Sequence, residues 1–149
     1  MTADGRTFVD TNVLLYAHDP SAARKHELAR RHLARLWETG NGVLSTQVLQ
    51  EFYVNATRKV AIPLSTGEAR LIVSTYAAWP VHRLGAEHVL SASELQDRSA
   101  VSFWDALILV SAASLGATRL LTEDMQHGQL FGSVRVENPF LSEDRPGAT

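Results

Sequence analysis

Short β-type runs alternate with longer stretches of helical periodicity along almost the whole chain, and this alternation limits the fold more than any other feature. Arg6–Val9 (RTFV) reads as a first strand. Residues 22–39 place Leu28, His32, Leu33, Leu36 and Trp37 on one helical stripe, which Gly40 and Gly42 bring to an end. Residues 43–45 are a short strand candidate. Residues 47–59 repeat Val48, Leu49, Phe52, Tyr53 and Ala56 at helical spacing, with Pro63 as their far limit. Ser65-Thr66-Gly67-Glu68 has the form of a capping box, opening a helix that carries Leu71, Ile72 and Tyr76. Residues 81–84 read as strand and residues 86–95 as amphipathic helix. Residues 103–115 are apolar on nearly every face, which predicts a central, buried helix. Residues 119–122 and 134–137 supply two further strands. Strands that alternate with helices predict an α/β fold with a mainly parallel sheet and right-handed crossovers. In such sheets, sites form outside the carboxyl ends of the strands, and Asp10 and Asp124 both fall just past predicted strand ends.

A chain of 149 residues fits one domain with a real core, expected over residues 1–140, and residues 141–149 (LSEDRPGAT) read as a flexible C-terminal tail. With 45% hydrophobic and 20% charged residues the composition is that of an ordinary globular protein. There are no cysteines, which excludes disulfides and thiolate metal sites. The opening MTADGRTFVDTN has an aspartate and no apolar core of a signal peptide. The most apolar stretch, residues 106–117, is too short to cross a bilayer. No membrane association and a cytoplasmic location are therefore expected, and a cysteine-free chain suits a reducing compartment. The formal net charge of -2 does not advertise nucleic-acid binding, so an anionic substrate needs local basic residues or bound cations.

Four carboxylates stand in strongly apolar or strand-end contexts: Asp10, Glu51, Asp105 and Asp124. Each has a plain structural reading. Asp10 suits an N-cap or turn. Asp105 suits a capping box with Ser102 at the start of the apolar helix. Asp124 suits a loop, and Glu51 the solvated flank of its helix. A parallel sheet, however, carries all four elements toward one edge. Clustered carboxylates repel, burial adds to the penalty, and a hard divalent cation with oxygen ligands removes it. Such an ion can activate water and stabilise a leaving oxygen in displacement at phosphorus.

In this order the blocks VDTNVLLYA, LSTQVLQEFY, SFWDALILVSAASLGA and LLTEDMQHGQ resemble the PIN domain family, and in particular the VapC-type toxins of prokaryotic toxin–antitoxin modules. The resemblance implies a three-layer α/β/α fold and Mg²⁺- or Mn²⁺-dependent endoribonuclease activity on RNA. It implies Asp10, Glu51, Asp105 and Asp124 as the catalytic, metal-binding acids, and Thr11, Asn12 and Thr122 as polar support. It implies a homodimer and a cognate antitoxin that blocks the site. Where many relatives place a further acid and an aromatic after the last aspartate, this chain has Gln126 and His127. That departure weakens a second metal position; Glu123 is the residue expected to compensate in part, with one ion held firmly and a second recruited by substrate.

Arg24, Arg31 and Arg35 share a helix face and are candidate phosphate contacts for RNA, although Glu27 and Glu38 interleave as on a solvated face. The six histidines show no zinc-motif spacing, and His127 reads as a loop residue. Trp37 and Trp104 fall on apolar faces and are expected in the core or a dimer interface rather than stacked on bases. Two rival functions remain. A phosphotransferase with an aspartate nucleophile would usually carry a second aspartate where Asn12 stands. A non-catalytic RNA- or protein-binding domain of the same fold would bind no metal. A nucleotide kinase is disfavoured by the absence of a phosphate-binding G-x-x-x-x-G-K-[ST] loop.

Overall fold

The structure, a computed structural model, describes residues 5–141. Its strands are β1 (Arg6–Val9), β2 (Gly42–Ser45), β3 (Val81–His82), β4 (Ala117–Leu121), β5 (Leu130–Phe131) and β6 (Val134–Glu137). Its helices are α1 (Thr11–Ala17), α2 (Arg24–Thr39), α3 (Thr46–Arg58), α4 (Thr66–Tyr76), α5 (Ala86–Arg98) and α6 (Phe103–Ser114), with a 3₁₀ turn at Pro20–Ala22 before α2. The six strands form one sheet in the order β3-β2-β1-β4-β6-β5. All neighbours run parallel except β5, which pairs antiparallel with β6.

Thr7, Phe8 and Val9 of β1 are wholly buried, as are Val43 and Leu44 of β2 and Leu120 of β4. Strands buried on both sides need helices on both faces, and the result is the expected three-layer α/β/α arrangement. Val13 and Leu14 from α1, Leu28, Leu33 and Leu36 from α2, Phe52 from α3 and Ile108 and Leu109 from α6 close the core. The chain leaves β1 for β2 on one side and reaches β4 on the other. The strand order therefore reverses at β1, which opens a crevice at the carboxyl ends of β1 and β4.

Most predicted elements appear, with instructive departures. The capping box is complete: Ser65 Oγ accepts from the Glu68 N–H, and Glu68 Oε1 accepts from the Ser65 N–H. Helix α2 starts at Arg24 rather than at residue 22, because the preceding residues form the 3₁₀ turn. Only Gly40 ends it, in the left-handed conformation at φ 73°. Gly42 has a different reason to be glycine: a Cβ there would lie 2.6 Å from the Trp79 indole. Strand 81–84 shortens to two residues, and β5 has no alternating pattern long enough to be read in advance. Of the apolar residues read in α4, Tyr76 is buried together with Ala69, while Leu71 is 69% exposed. Helix α6 is buried through Ala106–Leu109 but not around its whole circumference. Of the expected tail, Leu141 is exposed and residues 142–149 lie outside the described residues.

Candidate active site

Three separate elements deliver aspartates to the crevice. Asp10 is the residue after β1 and the N-cap of α1. Asp124 follows β4 by three residues. Asp105 lies in the first turn of α6, where Ser102 Oγ accepts its N–H. Each offers a carboxylate oxygen, and these atoms all lie within 4.8 Å of one another. Glu51, on α3, lines the same pocket of about 290 Å³. Larger depressions of about 370 and 460 Å³ lie elsewhere, lined largely by apolar side chains such as Tyr53, Val73 and Leu109, and hold no such cluster.

A network of short polar contacts fixes these acids. The Thr11 N–H donates to Asp10 Oδ1 at 2.7 Å. The buried Thr122 hydroxyl donates to Asp10 Oδ2 at 2.8 Å while its oxygen accepts from the Asp124 N–H at 3.1 Å and from Asn12 Nδ2 at 3.2 Å. One donor and two lone pairs are thus all used. Asn12 Nδ2 also reaches Asp124 Oδ2 at 3.0 Å. The Thr11 hydroxyl donates to Glu51 Oε1 at 2.7 Å. Thr11, Asn12 and Thr122 therefore touch the acids the sequence singled out.

Electrostatics follow from burial. Asp10 is 4% exposed. Desolvation pushes its carboxyl up to about 7; hydrogen bonds from Thr122 and Thr11 oppose this, and the charges of Asp124 and Glu51 add to it. Asp105 is also raised, first by desolvation and then by the Asp124 charge. Carboxylates that resist ionisation because they are buried beside one another are the arrangement a cation relieves.

Gln47 was missed. It is 5% exposed, and its Nε2 donates to Glu51 Oε2 at 3.3 Å and to the Trp104 carbonyl at 3.4 Å. Both partners are acceptors, which fixes the amide orientation. Its Oε1 is then a buried acceptor without a donor. An all-oxygen donor set with an orphaned acceptor in the wall fits a hydrated hard cation rather than a soft one. The signal in the sequence was the i, i+4 spacing of Gln47 and Glu51 on one helix face.

Glu123 lies outside the cluster of three aspartates. Its Oε2 accepts from the Tyr16 hydroxyl at 2.5 Å and its Oε1 from Lys25 Nζ at 2.7 Å, and it does not line the acidic pocket. The clamp ties the loop carrying Asp124 to α1 and α2. None of Arg24, Arg31 and Arg35 lines the acidic pocket. Arg24 donates to the Phe140 carbonyl, and Arg35 borders a depression beside Arg119 of β4. Nδ1 of His127 accepts the Asn138 N–H at 3.0 Å. Of the two places expected for Trp104, the core or a dimer interface, the core is ruled out: the residue is 62% exposed, on the pocket rim.

No curated protein matches the chain. Among solved structures it is similar to the sarcin-ricin loop cleaving toxin VapC20 of Mycobacterium tuberculosis, with a TM-score of 0.57 at 20% identity over 76% of this chain and 86% of that one. It is similar to a toxin–antitoxin complex from Klebsiella pneumoniae, with a TM-score of 0.64 at 17% identity over 89% and 97% of the two chains. DNA-bound VapBC from Salmonella typhimurium gives a TM-score of 0.63 at 17% identity over 91% and 98%. At these identities the likeness speaks for the fold. Residues 7–130 match the family model described as PIN domain. That match spans well over half the sequence and includes all four acidic positions, so the chain belongs to the PIN domain family.

Proposed function

We propose that this protein is a metal-dependent endoribonuclease, the toxin of a type II toxin–antitoxin pair, which hydrolyses RNA phosphodiester bonds with water. The observation that carries the reading is the meeting of Asp10, Asp105 and Asp124 within 4.8 Å at the strand-order reversal. In this reading the three aspartates hold Mg²⁺ or Mn²⁺, and Glu51 serves a second ion or the attacking water. A divalent ion bound there would polarise the phosphate and lower the pKa of water. Thr122 and Thr11 favour the ionised, ligating form of Asp10 against its burial, and Asn12 orients Asp124. Gln47 and Thr11 fix the Glu51 carboxylate, each oxygen of which keeps a lone pair for the pocket. No described side chain offers a nucleophile in the pocket other than the carboxylates and Thr11.

A cognate antitoxin and a homodimer belong to the same reading. Support comes from the toxin–antitoxin complexes among the structural neighbours and from the exposed Leu71, Val89, Leu90 and Leu130, which a partner would cover. A cytoplasmic location is part of it too; no described helix is long and apolar enough to cross a membrane. The test is cleavage of total RNA with Mg²⁺ or Mn²⁺ by wild type, Asp10→Asn and Asp105→Asn. Cleavage by wild type alone supports the reading. Equal cleavage by all three overturns it, and RNA binding with no metal uptake by calorimetry would favour the non-catalytic alternative.

A further inference from the structure

Trp104 is a large indole left 62% exposed at the rim of an acidic pocket. An aromatic of this size has much to gain from burial, so its place on the surface calls for an occupant. Its neighbours hold it there. The Phe103 ring meets it edge-on, with centroids 5.4 Å apart. Gln47 Nε2 donates to its carbonyl and ties the start of α6 to α3. Across the pocket, Asn55 lies one helical turn beyond Glu51; its side-chain amide has no hydrogen-bond partner among the described residues.

We propose that Trp104 and Asn55 form a nucleoside subsite beside the acidic cluster. Trp104 stacks on a base next to the scissile phosphate, and Asn55 hydrogen-bonds that nucleotide. The subsite rests on the nuclease reading and adds the residues that select a single-stranded substrate, since a base must be unpaired and splayed to reach an indole. A protein partner fits less well. An apolar side chain laid on Trp104 would offer nothing to the carboxylates that line the same pocket. A nucleotide brings a flat face for the indole and a phosphate with its cation for the carboxylates.

The experiment compares wild type, Trp104→Phe and Trp104→Ala on a short single-stranded oligoribonucleotide with Mn²⁺. Loss of a stacking platform is expected to raise KM about tenfold in Trp104→Ala, with kcat changed less than about twofold and Trp104→Phe in between. An abasic substrate should erase the difference between the variants. Asn55→Ala should raise KM in the same direction. Unchanged KM in Trp104→Ala overturns the proposal. So does a changed elution volume in size exclusion, which would make the indole an interface residue. If wild type cleaves no RNA, the nuclease reading falls and the subsite is judged on binding alone. Poly(A) in Ca²⁺ should then quench wild-type fluorescence more than that of Trp104→Phe; equal quenching overturns it.

Discussion

At Asp10 one carboxylate serves two opposed demands. Burial among strand ends raises its pKa to about 7, while Thr11 and Thr122 spend hydrogen bonds on the ionised form. Asp10→Asn removes the desolvation penalty but also one hydrogen-bond acceptor, worth about 1 kcal/mol. The two offset, so the metal-free variant should melt within about 4 °C of wild type by calorimetry. RNA cleavage should fall at least about a hundredfold in the same variant. An unfolded Asp10→Asn would assign the residue to structure instead. Thr122→Val conserves shape while deleting the hydroxyl that joins Asp10, Asn12 and Asp124. It leaves buried partners unmet, so urea unfolding should report a loss of about 1–3 kcal/mol. Mn²⁺ affinity by calorimetry should drop about tenfold to a hundredfold.

Between elements, a histidine pair joins β3, α5 and α6. The Gly85 N–H donates to His88 Nδ1, so neutral His88 carries its proton on Nε2 and donates to His82 Nε2 at 3.2 Å. His82 then keeps its proton on Nδ1, facing Ser111 Oγ at 2.8 Å. Burial lowers the His82 pKa below 6.5; a charged His88 lowers it too, and Glu87 opposes. A base with a depressed folded pKa leaves stability unaffected above the unfolded value. Its contribution is lost as pH falls from 6.5 toward the folded pKa, because only the unfolded chain then takes up the proton. The urea midpoint should therefore fall from pH 7.5 to 5.5 by more in wild type than in His82→Gln. Equal slopes would mean that His82 is not depressed in the folded chain. The element scale is also where sequence reading was strongest. The Ser65 capping box and the α3 and α6 positions follow from local backbone demands, and these elements appear within a few residues of their expected bounds. Residues 103–115 are apolar on nearly every face and predict a central, buried helix, which α6 is over Ala106–Leu109. Its first turn escapes the core, with Trp104 exposed and both Trp104 and Asp105 lining the acidic pocket.

For the molecule as a whole, the core and the acidic site are separable. Phe8, Leu14, Leu44, Phe52 and Leu120 pack the sheet without any contribution from a metal. Chelation with EDTA should abolish RNA cleavage and leave the far-ultraviolet circular dichroism unchanged. Mn²⁺ at about a hundred times its Kd should stabilise the fold by about 2.7 kcal/mol, read as a higher Tm. A protein that unfolds in EDTA would contradict this separation.

By itself the sequence determined the alternation of strands and helices, the parallel sheet, the family, and which carboxylates stand at strand and helix ends. The alternation, the sheet and the strand- and helix-end carboxylates follow from periodicities of two and 3.6 residues and from capping chemistry, which act over one turn of chain; the family rests on the resemblance of the four acidic blocks in their order. Only the tertiary structure decided which side chains meet. Glu123 is next to Asp124 in sequence yet is taken by Tyr16 and Lys25, because adjacent residues leave a loop in different directions. Gln47 became part of the site through the packing of α3 against the start of α6, and Trp104 came to its rim rather than the core. Such distances depend on strand order and on the side of the sheet each helix covers, and no local pattern records either.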